Sequence, residues 1–112
     1  MSVQRDELIS VGLFVRLEAK TGREEEVESF VRRGLTMVQD EPDTLVWFGV
    51  RLGPSTFAIF DAFPDDAGRQ AHLQGAVAQG LQEHGDDLLA EPPSIENFDV
   101  LAARLPALAP TG

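Results

Sequence analysis

The chain has 112 residues, of which 43% are hydrophobic and 25% charged, and this composition is typical of one folded domain rather than of a disordered chain. Its 19 acidic and 9 basic residues give a formal net charge of -10, which disfavours nucleic acids and anionic membranes as partners. Cysteine is absent, which excludes disulfides, thiolate nucleophiles and iron–sulfur clusters. The N-terminal sequence MSVQRDELIS lacks the apolar centre of a signal peptide, and no apolar run is long enough for a membrane helix. We therefore predict a cytoplasmic protein.

The first part of the chain predicts a strand followed by a helix. From Leu8 to Leu17, alternate residues are apolar, which is typical of a strand with one buried face. Residues 23–39 place apolar side chains at helical spacing, namely Val27, Phe30, Val31, Leu35 and Val38. Glu41-Pro42-Asp43 then ends the helix, because proline cannot continue the hydrogen-bonding pattern.

The middle of the chain predicts an antiparallel hairpin. Two strand-like runs, Thr44–Leu52 and Ser55–Phe63, are separated only by Gly53-Pro54. Pro64 stops the second strand, and the following aspartates suit the start of a helix over residues 65–84.

The last part predicts a short helical turn over 86–90, a strand over Ser94–Leu105 and a frayed tail over 106–112. The complete order is strand, helix, strand, strand, helix, strand. This order indicates an α+β, ferredoxin-like βαββαβ fold in a single domain, with an antiparallel sheet and both helices on one face. The other face would expose aromatic side chains to water, so we expect a homodimer that packs sheet against sheet.

From about Leu8 to Leu105 the chain resembles the antibiotic biosynthesis monooxygenase (ABM) family. The resemblance lies in LFVRLEAKTGREEEVESF, in FAIFDAFPDDAGRQAHL and in DVLAARLP. Many members end the hairpin strand with Glu, one residue and Trp, and then carry a histidine on the next helix. This chain has Asp61 and Phe63 at the strand positions and keeps the histidine as His72.

The resemblance implies a dimeric α+β barrel and a cofactor-independent oxygenase that oxidises quinols, phenols or polyketide-like aromatics with dioxygen. The haem-degrading branch of the family uses an asparagine on the first strand and the tryptophan that ends the hairpin strand. This chain has no asparagine on its first strand and has Phe63 in place of that tryptophan. Haem degradation is therefore the less favoured activity.

His72 is the first candidate catalytic residue. A neutral imidazole accepts a proton near neutral pH, so His72 could serve as a base or a hydrogen-bond partner. Small residues share its helical face, and we expect them to let a substrate ring approach, namely Gly68, Gly75 and Ala76. The alternative is that His72 only lies at the edge of the core.

Asp61 is the second candidate, because it alternates with apolar residues on its strand and an acid on that face needs a partner. It could orient His72, hold a substrate hydroxyl, or form a salt bridge with Arg16 or Arg51. The salt bridge is the favoured of these alternatives.

The candidate substrate-binding residues are Trp47, Phe63, Phe57 and Arg51. Trp47 could stack on an aromatic ring, although a core or interface position is the commoner role of a strand tryptophan. The other histidine, His84, precedes Gly85 near a helix end and is interpreted as structural. Two histidines and no cysteine form no metal-binding motif, so we predict neither a metal nor a cofactor.

Two functional hypotheses follow. The first is a homodimeric cofactor-independent monooxygenase that acts on a small aromatic with O2. The second is a non-catalytic dimeric ligand-binding or accessory protein of the same fold.

Overall fold

The computed structural model describes residues 8–106, which form a four-stranded antiparallel sheet and three helices. The strands are β1 (Val11–Glu18), β2 (Val46–Arg51), β3 (Thr56–Phe63) and β4 (Ser94–Asp99). The helices are α1 (Glu24–Val38), α2 (Asp66–Leu73) and α3 (Ala76–Leu88). The order in the sheet is β2-β3-β1-β4, and every neighbouring pair is antiparallel. The predicted α+β ferredoxin-like fold and the β2–β3 hairpin are confirmed.

The predicted helix over 65–84 is two helices, because the chain breaks at Gly75. Gly75 has extended backbone angles (φ -85, ψ -171), and its N–H donates to the carbonyl of His72. A Cβ atom at this position would lie 2.6 Å from Oε2 of Glu41, so glycine is required by close approach. α3 then continues to Leu88 and includes part of the turn predicted over 86–90.

The predicted last strand ends at Asp99 rather than at Leu105. β4 pairs only with β1, and Asp99 lies opposite Val11, the first residue of β1. Beyond the strand, the N–H of Val100 still donates to the carbonyl of Ser10, and the described residues after it form no strand. Of the predicted frayed tail over 106–112, only Pro106 lies within the described residues.

The core lies between the helices and one face of the sheet. The apolar stripe of α1 is buried there, except that Leu35 is 51% exposed. The core side chains of β1 and β3 are directly paired across the two strands, as in Leu13 with Asp61 and Leu17 with Phe57. Among residues 8–106, no helix is long and apolar enough to cross a membrane.

The opposite face of the sheet has no helix over it and carries an aromatic stripe, which we define as Phe48, Phe60 and Phe98. The rings of Phe60 and Phe98 stack with centroids 5.1 Å apart, and Phe48 lies 6.2 Å from Phe60. Phe48 is 56% exposed. Gly12 lies under Phe98. A Cβ atom at this position would clash with the ring of Phe98 and with the carbonyl oxygen of Asp61.

We expect Gly12→Ala to lower the free energy of unfolding by about 1–3 kcal/mol, the usual cost of overpacking. Urea denaturation measures this change. Gly53→Ala is the matched control, because a Cβ at Gly53 would meet no atom within 4 Å. Equal stabilities for the two variants would show that Phe98 moves aside freely.

Candidate active site

His72 is positioned by a short, well-capped helix. The chain turns at Pro64, and the side chain of Asp65 accepts a hydrogen bond from the N–H of Gly68, which starts α2. This places His72 in the last turn of α2, with its side chain only 7% exposed. The ring of Phe63 lies against it, with centroids 5.3 Å apart.

Asp61 lies beneath His72 on β3 and is completely buried. Its Oδ2 is 2.9 Å from Nε2 of His72, which is an ion-pair contact. Besides His72, the backbone of Leu13 on the neighbouring strand hydrogen-bonds to this carboxylate, which leaves part of its acceptor capacity unused among the described residues. A buried carboxylate with spare acceptor capacity is costly, and such groups recur at functional sites.

The favoured prediction that Asp61 forms a salt bridge with an arginine is wrong. Arg16 pairs in register with Ala58, so it lies on the opposite face of the sheet from Asp61. Arg51 shares the face of Asp61 but forms an ion pair with Glu28 of α1. The structure instead brings together the two candidate catalytic residues.

A third member of this cluster, Glu41, was not predicted from the sequence. Its Oε1 is 2.7 Å from Nδ1 of His72 and also accepts a hydrogen bond of 2.6 Å from the hydroxyl of Thr44. The only sequence signal is an acid just after the C-terminal end of α1, where the helix dipole disfavours negative charge. The imidazole therefore has one carboxylate at each nitrogen.

These contacts shift the pKa values of His72 and Asp61. Burial of the ring opposes its protonation, but the contacts with Asp61 and Glu41 outweigh the burial and raise the pKa of His72 above 6.5. Burial raises the pKa of Asp61, and the nearby His72 offsets only part of this effect. The two carboxylates therefore favour the imidazolium form of the ring, in which both nitrogens can donate a hydrogen bond.

The small residues beside His72 do not leave space for a substrate ring, contrary to the prediction. A Cβ at Gly68 would lie 2.9 Å from Cβ of Asp43, and Gly75 is in close contact with the carboxylate of Glu41. The loop between α1 and β2 fills the space that the sequence suggested for a ligand.

Three of the four candidate substrate-binding residues line one groove between α1 and β2, with a volume of about 410 Å³. These are Trp47, Phe57 and Arg51. The guanidinium of Arg51 lies 4.9 Å from the ring centroid of Phe57. Phe63 is not in this groove, because it is fully buried beside His72.

Trp47 connects the groove with the buried cluster. It lines the groove, and it lies directly opposite Asp61 on the same face of the sheet. Its indole ring fits over two glycines, since a Cβ at Gly34 or Gly49 would lie 2.8 or 3.3 Å from ring atoms. Its Nε1 is buried, and no hydrogen-bond acceptor among the described residues reaches it. An unpaired donor thus lies opposite a carboxylate with spare acceptor capacity on the neighbouring strand.

The second histidine, His84, lies outside this cluster. It is 60% exposed, and its Nε2 is 3.8 Å from a carboxylate oxygen of Glu83. No group of three or more His, Asp or Glu side chains within residues 8–106 is arranged to hold a metal ion.

The raised pKa of His72 predicts a specific pH dependence of stability. The folded protein keeps the His72 proton to higher pH than the unfolded chain does, so the free energy of unfolding should fall as the pH rises above about 6.5 through the folded-state pKa. Chemical denaturation at constant protein concentration measures the fall. His72→Gln should remove it, whereas His84→Gln should keep it. A fall that persists in His72→Gln would assign it to another group.

Comparison with known proteins identifies relatives among solved structures. No protein-family model matches the chain, and no curated protein does. The NE2512 protein of Nitrosomonas europaea, a protein of unknown function, is 48% identical, with a TM-score of 0.87, and the match covers 90% of this chain and 98% of that one.

More distant structures share the fold. A candidate antibiotic biosynthesis monooxygenase from Nitrosomonas europaea is 19% identical, with a TM-score of 0.74, over 82% of this chain and 99% of that one. Another candidate from Caulobacter crescentus is 16% identical, with a TM-score of 0.72, over 85% and 92%. The chain thus has the fold of the ABM-like proteins, and its identity to NE2512 shows that it belongs to the same family as that Nitrosomonas europaea protein.

Proposed function

We propose that this protein is a homodimeric, cofactor-independent monooxygenase that oxidises a small quinol, phenol or polyketide-like aromatic with dioxygen. The observation that carries the proposal is the completely buried carboxylate of Asp61, which lies 2.9 Å from His72 and has spare acceptor capacity. The fold shared with candidate ABM proteins supports the same class of chemistry.

The groove supplies a binding place of suitable size and character. Pockets for small molecules have volumes of about 300–1,000 Å³ and are mostly apolar. The groove of about 410 Å³ falls in this range. It is lined by Trp47 and Phe57 and, on the α1 side, by Glu28, Val31, Arg32 and Leu35. A flat aromatic ring can stack on the indole, and Arg51 can contact an oxygen substituent at the rim. Trp47 must then move for the substrate hydroxyl to reach Asp61.

The chemistry requires a proton acceptor more than any other group. Removing a proton from a phenol or from an activated carbon gives an electron-rich anion, and this anion reduces dioxygen. For an anthrone-like substrate, the methylene carbon loses two hydrogens and gains one oxygen atom, while the second oxygen atom leaves as water. Asp61 is the proton acceptor in this proposal. His72, which lies between two carboxylates, is its hydrogen-bond partner rather than the base.

The aromatic stripe supports the homodimer. Phe48 and Phe60 expose ring surface on a sheet face that no helix covers, and contiguous apolar surface of this kind usually marks an interface. A second copy offers the same surface, so a two-fold axis through the stripe would bury both at once.

The non-catalytic alternative also has a specific observation in its favour. Asp61 and His72 do not line the groove, so a ligand can bind beside Trp47 without reaching them. In that case the groove binds an aromatic ligand and the buried cluster only supports the fold.

Oxygen consumption with a panel of hydroquinones and hydroxynaphthalenes distinguishes the two functions. We expect uptake above autoxidation, and a loss of about 100-fold or more in kcat for Asp61→Asn, because a positioned proton acceptor contributes about 10²–10⁴-fold. Ligand binding, followed by Trp47 fluorescence, should persist in this variant.

Asp43→Asn is the matched control, because it removes an exposed carboxylate that lies near α2 and makes no contact with the imidazole. Binding without oxygen uptake by the wild type would favour the ligand-binding function.

Phe60→Lys is expected to convert the dimer into a monomer, because it places a charge at the centre of the stripe. Sedimentation velocity measures the change. Leu35→Lys, at an exposed leucine on α1, should leave the dimer intact. A dimer that survives Phe60→Lys would place the interface on another surface.

A further inference from the structure

Asp61, His72 and Glu41 lie in order from the interior of the protein to its surface. Asp61 is completely buried, the ring of His72 is 7% exposed, and Glu41 is 21% exposed. The two contacts are 2.9 Å and 2.7 Å, both within the distance over which protons are transferred. They use the two different nitrogens of one imidazole.

We propose that Glu41, His72 and Asp61 form a proton relay that carries the substrate proton from the interior to water, with Glu41 as the exit group. This inference rests on the proposed function, and it assigns to the cluster a role beyond orientation of a base. A buried proton acceptor that turns over repeatedly must lose its proton, and Asp61 has no direct access to solvent.

The steps balance in protons and charge. The proposed relay starts from Asp61 and Glu41 as carboxylates and His72 as an imidazolium, so the net charge of the three groups is negative by one. When Asp61 takes the substrate proton, the Nδ1 proton of His72 passes to Oε1 of Glu41 and then to water. One proton has entered and one has left. The remaining ring proton, on Nε2, then moves to Nδ1 through a water molecule. The carboxyl proton of Asp61 passes to the freed Nε2 and restores the starting state.

The surroundings of the relay favour this direction. Among the described residues, the charged groups that act on His72 are Asp61 from β3 and Glu41 from the α1–β2 loop. The hydroxyl of Thr44 holds the Glu41 carboxylate in place. Gly75 allows this carboxylate to approach the turn after α2, because any larger residue would occupy the same space. The loop thus presents an acid to the outer nitrogen of the ring.

The direct test does not require a substrate. The chain has two histidines, so nitrogen-15 spectra of the imidazoles contain two ring systems, and His84→Asn identifies the signals of His72. The measured quantity is the exchange rate of the His72 ring protons with water. We expect Glu41→Gln to slow this exchange on the order of 100-fold, since the amide cannot take up the proton.

Glu41→Gln keeps an oxygen that accepts from Nδ1 and from Thr44, so a purely structural role predicts unchanged or faster exchange, and either result would overturn the relay. Asp40→Asn, on the same loop, is the control and should exchange like the wild type. Thermal unfolding checks that each variant is folded.

Turnover provides the second readout and separates this proposal from the proposed function. If the wild type consumes no oxygen with any substrate, the monooxygenase proposal fails, while the exchange rates still support or overturn the relay. If the wild type is active, Glu41→Ala should lose kcat with little change in KM, and added formate or acetate should restore part of it. Full kcat in Glu41→Gln would overturn the relay.

Discussion

His72 lies between two carboxylates that come from distant parts of the chain, and the arrangement of the second half of the fold depends on this contact. Asp61 belongs to a central strand, and Glu41 belongs to the loop that leaves α1. Their contacts with the imidazole hold α2 over the sheet. They also bring the loop after α1 against the turn at Gly75, which separates α2 from α3. Removal of one partner from a buried ion pair typically costs about 3–5 kcal/mol, because the other charge remains buried and uncompensated.

The position of this cluster explains why the catalytic and binding candidates divide into two places. The surface groove contains aromatic and cationic side chains suited to a ligand, and the buried cluster contains the groups suited to proton transfer. Trp47 belongs to both, since it lines the groove and faces Asp61 across the strand pair. In the proposed function, Trp47 would shield the buried carboxylate from water until a ligand displaces the indole.

Much of the fold follows from local sequence patterns, and much of the site does not. The alternation in β3 correctly places Asp61 on the helix-covered face, and the order of elements brings α2 above it, so its contact with His72 could be anticipated. Glu41 could not be, because its contact depends on the path of a loop relative to a helix 31 residues later. Likewise, the sequence offered Arg51 as a salt-bridge partner for Asp61, but only the packing of α1 shows that Glu28 is its partner.

The packing of the Trp47 indole has a consequence for natural sequence variation in this family. Gly34 on α1 lies against the indole, and Gly49 on β2 lies against both the indole and Val31 of α1. A methyl group at position 34 would displace the indole, whereas one at position 49 would first meet Val31. A smaller side chain at position 47 would leave a void that a larger residue at position 34 could fill. Positions 34 and 47 should therefore substitute together among homologues, whereas position 49 should keep its glycine wherever Val31 is retained.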